Sequence, residues 1–218
     1  MMTPKAVRLA YDEVASDYAH RFPATEGEML LDLAMVDAFA DAVAVDREGA
    51  GPRVLDAGCG AGRMSRYLLD RGCAVQGIDG SPGMIAMARR DHPDISFSVA
   101  NLASIPFADH SFAGVLLWYS IIHTPPDGLP AILAEATRLV RPGGHVLVGF
   151  QSGTGIRDVA PSYRELGHEV TLERYRYTAD DVAEVLRTLG APEVCRMVRR
   201  PRGGERDDQA VVLARLTA

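Results

Sequence analysis

Val54-Leu55-Asp56-Ala57-Gly58-Cys59-Gly60-Ala61-Gly62-Arg63 is the stretch on which the fold turns. Val54-Leu55 reads as a short apolar strand, the three alternating glycines as a tight turn, and Met64 to Arg71 as the helix that follows. Glycines at 58, 60 and 62 let the backbone turn sharply and approach a ligand that any Cβ would hold off. Asp56 stands two residues ahead of the first of them. A carboxylate there repels a pyrophosphate and suits a cationic or hydroxyl-rich ligand.

Downstream, strands and helices alternate. Gly72 stops the first helix, Ala74 to Ile78 is a strand, and Pro82 to Arg90 is a helix with Ser81 as its cap and Pro82 in its first turn. Ile95 to Val99 alternates as a strand, and Phe112 to Tyr119 is almost continuously apolar, as a strand buried on both faces should be. Leu129 to Val140 is helical, with Ile132, Ala136, Leu139 and Val140 on one stripe; Arg141-Pro142-Gly143-Gly144 is read as the turn into a strand from His145 to Phe150. This order implies parallel strands joined by right-handed crossovers, hence an open, doubly wound α/β sheet.

Residues 151–177 break the rhythm. Thr178-Ala179-Asp180-Asp181 then resembles a capping box for a helix carrying Val182, Val185, Leu186 and Leu189 inward. Two closing strands, near 194–198 and 210–216, form a C-terminal hairpin, which makes seven strands in all. Upstream, Lys5 to Val45 is helical, with Leu30, Leu31, Ala34, Met35, Ala38 and Phe39 as its apolar stripe, and Asp46 to Pro52 is a turn-rich break. Two regions follow: an N-terminal helical region at 1–46, and an α/β core at 47–218 with an insert at 151–177.

The chain has 218 residues, nearly half of them apolar, with 23 basic against 29 acidic side chains. That balance argues against a protein living on phosphate contacts, so no nucleic-acid partner is expected. Three scattered cysteines offer neither a disulfide framework nor a metal signature. With no signal-like N-terminus and no apolar run long enough to span a bilayer, a cytoplasmic protein without a membrane partner is expected, as monomer or homodimer.

In such a sheet the ligand lies over the carboxyl ends of the strands. The second strand ends at Asp79, nineteen positions after Gly60, where a carboxylate can take two adjacent ribose hydroxyls. Asp56 to Gly62 resembles the first motif of the class I methyltransferases that use S-adenosylmethionine. Asp79-Gly80-Ser81-Pro82-Gly83-Met84 is similar to their acidic second motif, and Asn101 to Phe112 and Leu139 to Gly144 match two further stretches. Asp12-x-x-Ala15-x-x-Tyr18 fits the small-molecule branch. Asn101 departs from the usual acid, and Ala113-Gly114 from the usual aspartate.

The resemblance implies a Rossmann-like methyltransferase sheet and S-adenosyl-L-methionine as cofactor, with no metal. Gly58, Cys59, Gly60 and Gly62 would lie along its methionine and ribose portion, Asp56 would face the amino-acid end, and Asp79 the ribose hydroxyls. Gly80 and Met84 would flank the adenine, with Leu102 near the ring and Asn101 at its amino group. Trp118 and Tyr119 would close the pocket beside the sulfonium.

His123 is the first candidate for a general base should the acceptor arrive protonated, with Tyr18 or Tyr119 as its partner. The acceptor, a small organic metabolite, is expected against Tyr11, Tyr18, Gln151, Tyr163, His168, Tyr175 and Tyr177. The arginines between 196 and 206 read as a solvated hairpin.

Three rivals are weighed. A dinucleotide oxidoreductase needs G-x-G-x-x-G, and position 63 is arginine. A nucleic-acid methyltransferase finds only a late echo of its motif in Thr124-Pro125-Pro126-Asp127, with no following aromatic. A non-catalytic domain that binds the cofactor without transfer is the third.

Overall fold

The computed structural model describes residues 3–44 and 51–217. Two helices come first, α1 (Pro4–Arg21) and α2 (Leu30–Ala44), separated by a break that the sequence reading missed. The expected end of the helical region at Val45, most of the break at 46–52, and the 46/47 boundary lie outside the described residues.

The core alternates β1 (Arg53–Ala57), α3 (Arg63–Asp70), β2 (Ala74–Asp79), α4 (Pro82–Asp91), β3 (Ser96–Val99), β4 (Phe112–Trp118), α5 (Leu129–Leu139) and β5 (Val140–Ser152). The insert carries β6 (Ile156–Asp158), α6 (Pro161–Arg164) and β7 (Glu173–Tyr175), and the chain closes with α7 (Ala179–Thr188), β8 (Glu193–Arg199) and β9 (Asp208–Arg215). Seven strands form one sheet in the order β3-β2-β1-β4-β5-β9-β8. The first five are parallel, and β9 and β8 join antiparallel.

The order switches between β1 and β4, so their carboxyl ends splay apart and leave a crevice between the loops that follow them. β4 is buried along its whole length, as a central strand covered on both faces must be. One face of the sheet packs against α5 and α7 around Leu55, Val115, Leu133 and Leu186. The other meets α2 and α3 through Phe39, Val43, Leu68 and Leu116.

Three local expectations are corrected. Arg141 to Gly144 is not a free turn but an irregular part of β5, because Gly143 N–H donates to Leu216 O and Leu216 N–H to Gly144 O. In α2 the buried face is Asp32, Val36, Phe39, Ala40 and Val43, while Leu30 and Leu31 are exposed. Val36, Phe39, Ala40 and Val43 turn that face to the sheet, and Asp32 can join it because Arg199 reaches it from the end of β8. Arg199 is therefore no solvated hairpin residue, and Glu205 binds its other edge.

The insert packs against α1. β6 and β7 make a small antiparallel sheet, and Ala160, Val170 and Leu172 pack on Ala10 and Val14 of α1 in a separate apolar cluster. Among the described residues no helix is long and apolar enough to cross a membrane, and no group of side chains could hold a metal ion.

Candidate active site

The β1–α3 turn is shaped by its glycines. Gly58, Gly60 and Gly62 all have positive φ, which favours glycine. Gly58 and Cys59 N–H both donate to Ile78 O, at 2.7 and 2.8 Å, so the turn is laid over the end of β2. A Cβ at Gly58 would sit 2.2 Å from that of Ser120; the loops after β1 and β4 approach too closely for any side chain there.

Asp79 ties the neighbouring loops together. Its Oδ2 accepts from Gly60 N–H at 2.9 Å and its Oδ1 from Ser81 N–H at 2.8 Å. Burial nonetheless raises its pKa above the usual carboxylate value. Ser81 caps α4 by accepting from Met84 N–H. Asp12 of α1 fastens the same helix start, accepting from Ser81 Oγ at 2.6 Å and Gly83 N–H at 2.9 Å.

These loops, with α1 laid across them, enclose a cavity of about 690 Å³, within the usual range for small-molecule sites. Of the expected residues, Tyr18, Asp56, Gly58, Cys59, Gly60, Asp79, Gly80, Met84, Asn101, Leu102, Trp118, Tyr119 and His123 all line it. Gly62 does not. It precedes α3, and a Cβ there would strike His92 and Phe97, so its glycine serves packing behind the loop.

Asp56 is almost fully buried, and Ser65 Oγ donates to its Oδ2 at 2.6 Å. Its Oδ1 is buried in the cavity wall with no hydrogen-bond partner. Desolvation pushes the carboxyl up to about 6, against the Ser65 bond that lowers it. A lone acceptor oxygen beside a glycine turn fits a ligand that brings its own cationic donor. Ser120 Oγ is a second buried polar atom without a partner in the same wall. At Gly80 a Cβ would come no nearer than 3.9 Å to Ala100 O, so this wall is open toward the cavity. Asn101 Oδ1 already accepts from Ala103 N–H, leaving one lone-pair direction for a ligand.

Around β4, Trp118 stacks edge-on with Tyr119 at 5.3 Å. Tyr119 has φ +54 and donates its hydroxyl to Gln209 Oε1. A bulky residue held there marks a strained position.

His123 has a partner other than the two tyrosines expected. Its Nδ1 lies 2.6 Å from Glu173 O and so carries the proton, which leaves Nε2 to accept from Tyr11 O–H at 2.8 Å. Burial takes the ring down to about 4, and the same burial raises Tyr11 well above its usual value. Residue types alone could not give this pairing, because Tyr11 on α1 and His123 after β4 meet only in the folded chain.

Tyr163 packs in the α1–insert cluster, Tyr175 and Tyr177 lie in the main core, and His168 bridges Glu13 and Asp17 of α1. None of these lines the cavity, nor does Gln151. The sequence reading missed the part-buried Glu28–Arg63 ion pair, whose Arg63 lines the cavity. Only the position of Arg63, directly after the glycines, pointed there.

Residues 54–144 match the model of a family described as a methyltransferase domain. That segment holds the glycine turn, and the seven-strand order of the whole sheet is that of a Rossmann-like methyltransferase fold. Among curated relatives, the chain is 29% identical over 164 residues to malonyl-[acyl-carrier protein] O-methyltransferase of Serratia marcescens, covering 70% of this chain and 63% of that protein. It is 37% identical over 134 residues to demethylmenaquinone methyltransferase of Beutenbergia cavernae, covering 61% and 54%. The chain thus spans between half and two thirds of the length of these two relatives.

Its fold resembles that of magnesium protoporphyrin IX methyltransferase from Synechocystis PCC 6803, at TM-score 0.73 and 18% identity, covering 99% of this chain and 100% of that one. It also resembles 1,6-didemethyltoxoflavin-N1-methyltransferase from Burkholderia thailandensis, at TM-score 0.61 and 24% identity, covering 100% and 94%.

Proposed function

We propose that the chain binds S-adenosyl-L-methionine in this cavity and moves its methyl group to a small organic acceptor by in-line displacement. The observation that carries the reading is Asp56 Oδ1, a buried carboxylate oxygen without a partner in the wall beside the glycine turn. It supports a cationic amino-acid portion at that end. Asp79 would hold the ribose hydroxyls with the lone pairs its two backbone donors leave free. Gly80, Met84, Leu102 and Asn101 would take the adenine.

The cofactor supplies an activated methyl group on a cationic sulfur. The protein's part is to align the acceptor and exclude water. Trp118 and Tyr119 would offer ring faces to the positive charge, a contact of about 0.5–2 kcal/mol. Tyr11, Tyr18 and His123 would form the acceptor side, with the imidazole held neutral and oriented by Glu173 O. The methyl acceptors named for the two curated relatives, a malonyl carrier and a demethylmenaquinone, support an organic acceptor.

Isothermal titration calorimetry with S-adenosylmethionine and its demethylated product tests the reading. Asp79→Ala removes hydrogen bonds to a charged acceptor, worth roughly 1.5–3 kcal/mol, so binding should weaken about 10- to 100-fold. Undiminished binding in that variant, or no heat with the wild type, would refute the assignment.

A further inference from the structure

The cavity is electrically lopsided. Its two carboxylates, Asp56 and Asp79, both lie at the glycine turn, where Tyr18 comes within 3.7 Å of where a Gly60 Cβ would be. At the other end of α1, roughly 20 Å along the helix axis, Lys5 and Arg8 line the same cavity. No ion pair or hydrogen bond within the described residues occupies either side chain. In a chain of net charge −6, two uncommitted cations at a cavity mouth are a local reversal.

The insert holds its own charges in balance. Arg157 pairs across the small sheet with Arg174, and Arg176 follows on the same face. All three converge on one buried carboxylate, Asp207, at 2.9, 3.5 and 3.2 Å, while Asp158 and Glu173 face each other in the same sheet. β7 is tied to the cavity wall, because Tyr175 N–H donates to Ile122 O and Glu173 O accepts from His123 Nδ1. The Arg174 charge is felt at both Tyr11 and His123.

Neither His123 nor the tyrosine bonded to it is suited to removing a proton near neutrality. Both nitrogens of His123 are engaged, and its affinity for a further proton is low. Tyr11 and Tyr119 are pushed the other way and keep theirs. The general-base role expected of His123 therefore gives way to a positioning one, and the acceptor has to arrive with its nucleophilic lone pair free.

We propose that the acceptor is a small carboxylic acid, methylated on a carboxylate oxygen to give its methyl ester; this rests on the cofactor assignment above. An acceptor oxygen forms the new O–CH₃ bond while the S–CH₃ bond breaks, and that electron pair goes to sulfur. The carboxylate loses its negative charge and the sulfonium its positive one, and no proton moves. Lys5 and Arg8 draw the anion in, and the neutral ester is held less tightly than the acid it came from.

The test uses the full chain with methyl-labelled S-adenosylmethionine and a panel of aliphatic and aromatic carboxylic acids, each beside its alcohol, amine and amide counterpart. Transfer is expected to acids alone, with the label released as methanol by mild alkali. In Lys5→Glu/Arg8→Glu the KM for the accepted acid should rise about tenfold, equivalent to 1.4 kcal/mol. For the wild type it should rise with salt as well.

Alkali-stable label on an alcohol, amine or amide overturns the proposal. So does an unchanged KM in the double variant, or no transfer to any acid while calorimetry still shows cofactor binding; the cofactor assignment then stands. Absence of cofactor binding removes both.

Discussion

Asp56 is the residue at which ligand binding and stability oppose each other. Its carboxyl is raised from 3.8 to about 6 by burial. The folded protein thus holds this proton more tightly than the unfolded chain does. The stability this contributes is complete below pH 3.8 and lost as pH rises through about 6. The difference is worth roughly 3 kcal/mol at 1.36 kcal/mol per unit. Asp56→Asn should accordingly raise the urea midpoint of the ligand-free protein at pH 7.5, and the advantage should vanish at pH 4. The same change should weaken binding of the cationic cofactor.

Near pH 6 the carboxyl is about half protonated, so cofactor binding should expel roughly half a proton. Calorimetry in buffers of different ionisation enthalpy reads this directly, and the Asn variant should show none of it. A wild-type binding enthalpy independent of buffer would contradict the role given to Asp56.

At the scale of elements, legibility followed local chemistry. The cap of α7 was visible as Thr178 with Asp181, and the structure shows both halves of the capping box. Thr178→Ala should cost about 1 kcal/mol, measured as a shift in the denaturation midpoint. The strand–glycine–helix unit at β1 and α3, the continuous apolar run of β4 and the stripe of α5 were equally plain, since each writes its burial into its own residues. The insert was not legible. β6 and β7 have three residues each, too few for periodicity to register, and they are held by α1 and residues 122–123. The buried face of α2 was misread because the helix is apolar on more than one side, and the burial of Asp32 depends on a distant arginine that cannot be seen in the helix itself.

At the scale of the molecule, the Asp32–Arg199–Glu205 cluster joins α2 to the closing hairpin through side chains separated by 167 residues. Asp32 and Arg199 are 1% and 8% exposed. Asp32→Ala strands a buried guanidinium and should cost about 3–5 kcal/mol, while Asp32 and Arg199 replaced together by apolar residues should recover most of it. Equal losses in the single and paired variants, by chemical denaturation, would show that the cluster is not acting as an ion pair.

The candidate site was more legible than its walls, because the glycine turn and the two acids lie close in sequence. The arrangement of Tyr11, His123 and Glu173 draws on three regions brought together only by the finished fold.

The fastening of α1 has a kinetic corollary. Asp12 grips the start of α4 and Tyr11 grips His123, so the helix is fastened at two points along the cavity. On the proposed function, departure of the spent cofactor is expected to wait until both grips let go, a step separate from bond making. Rapid-quench traces should show a first round of methylation faster than every later one, and Asp12→Ala should speed the later rounds until the two phases merge.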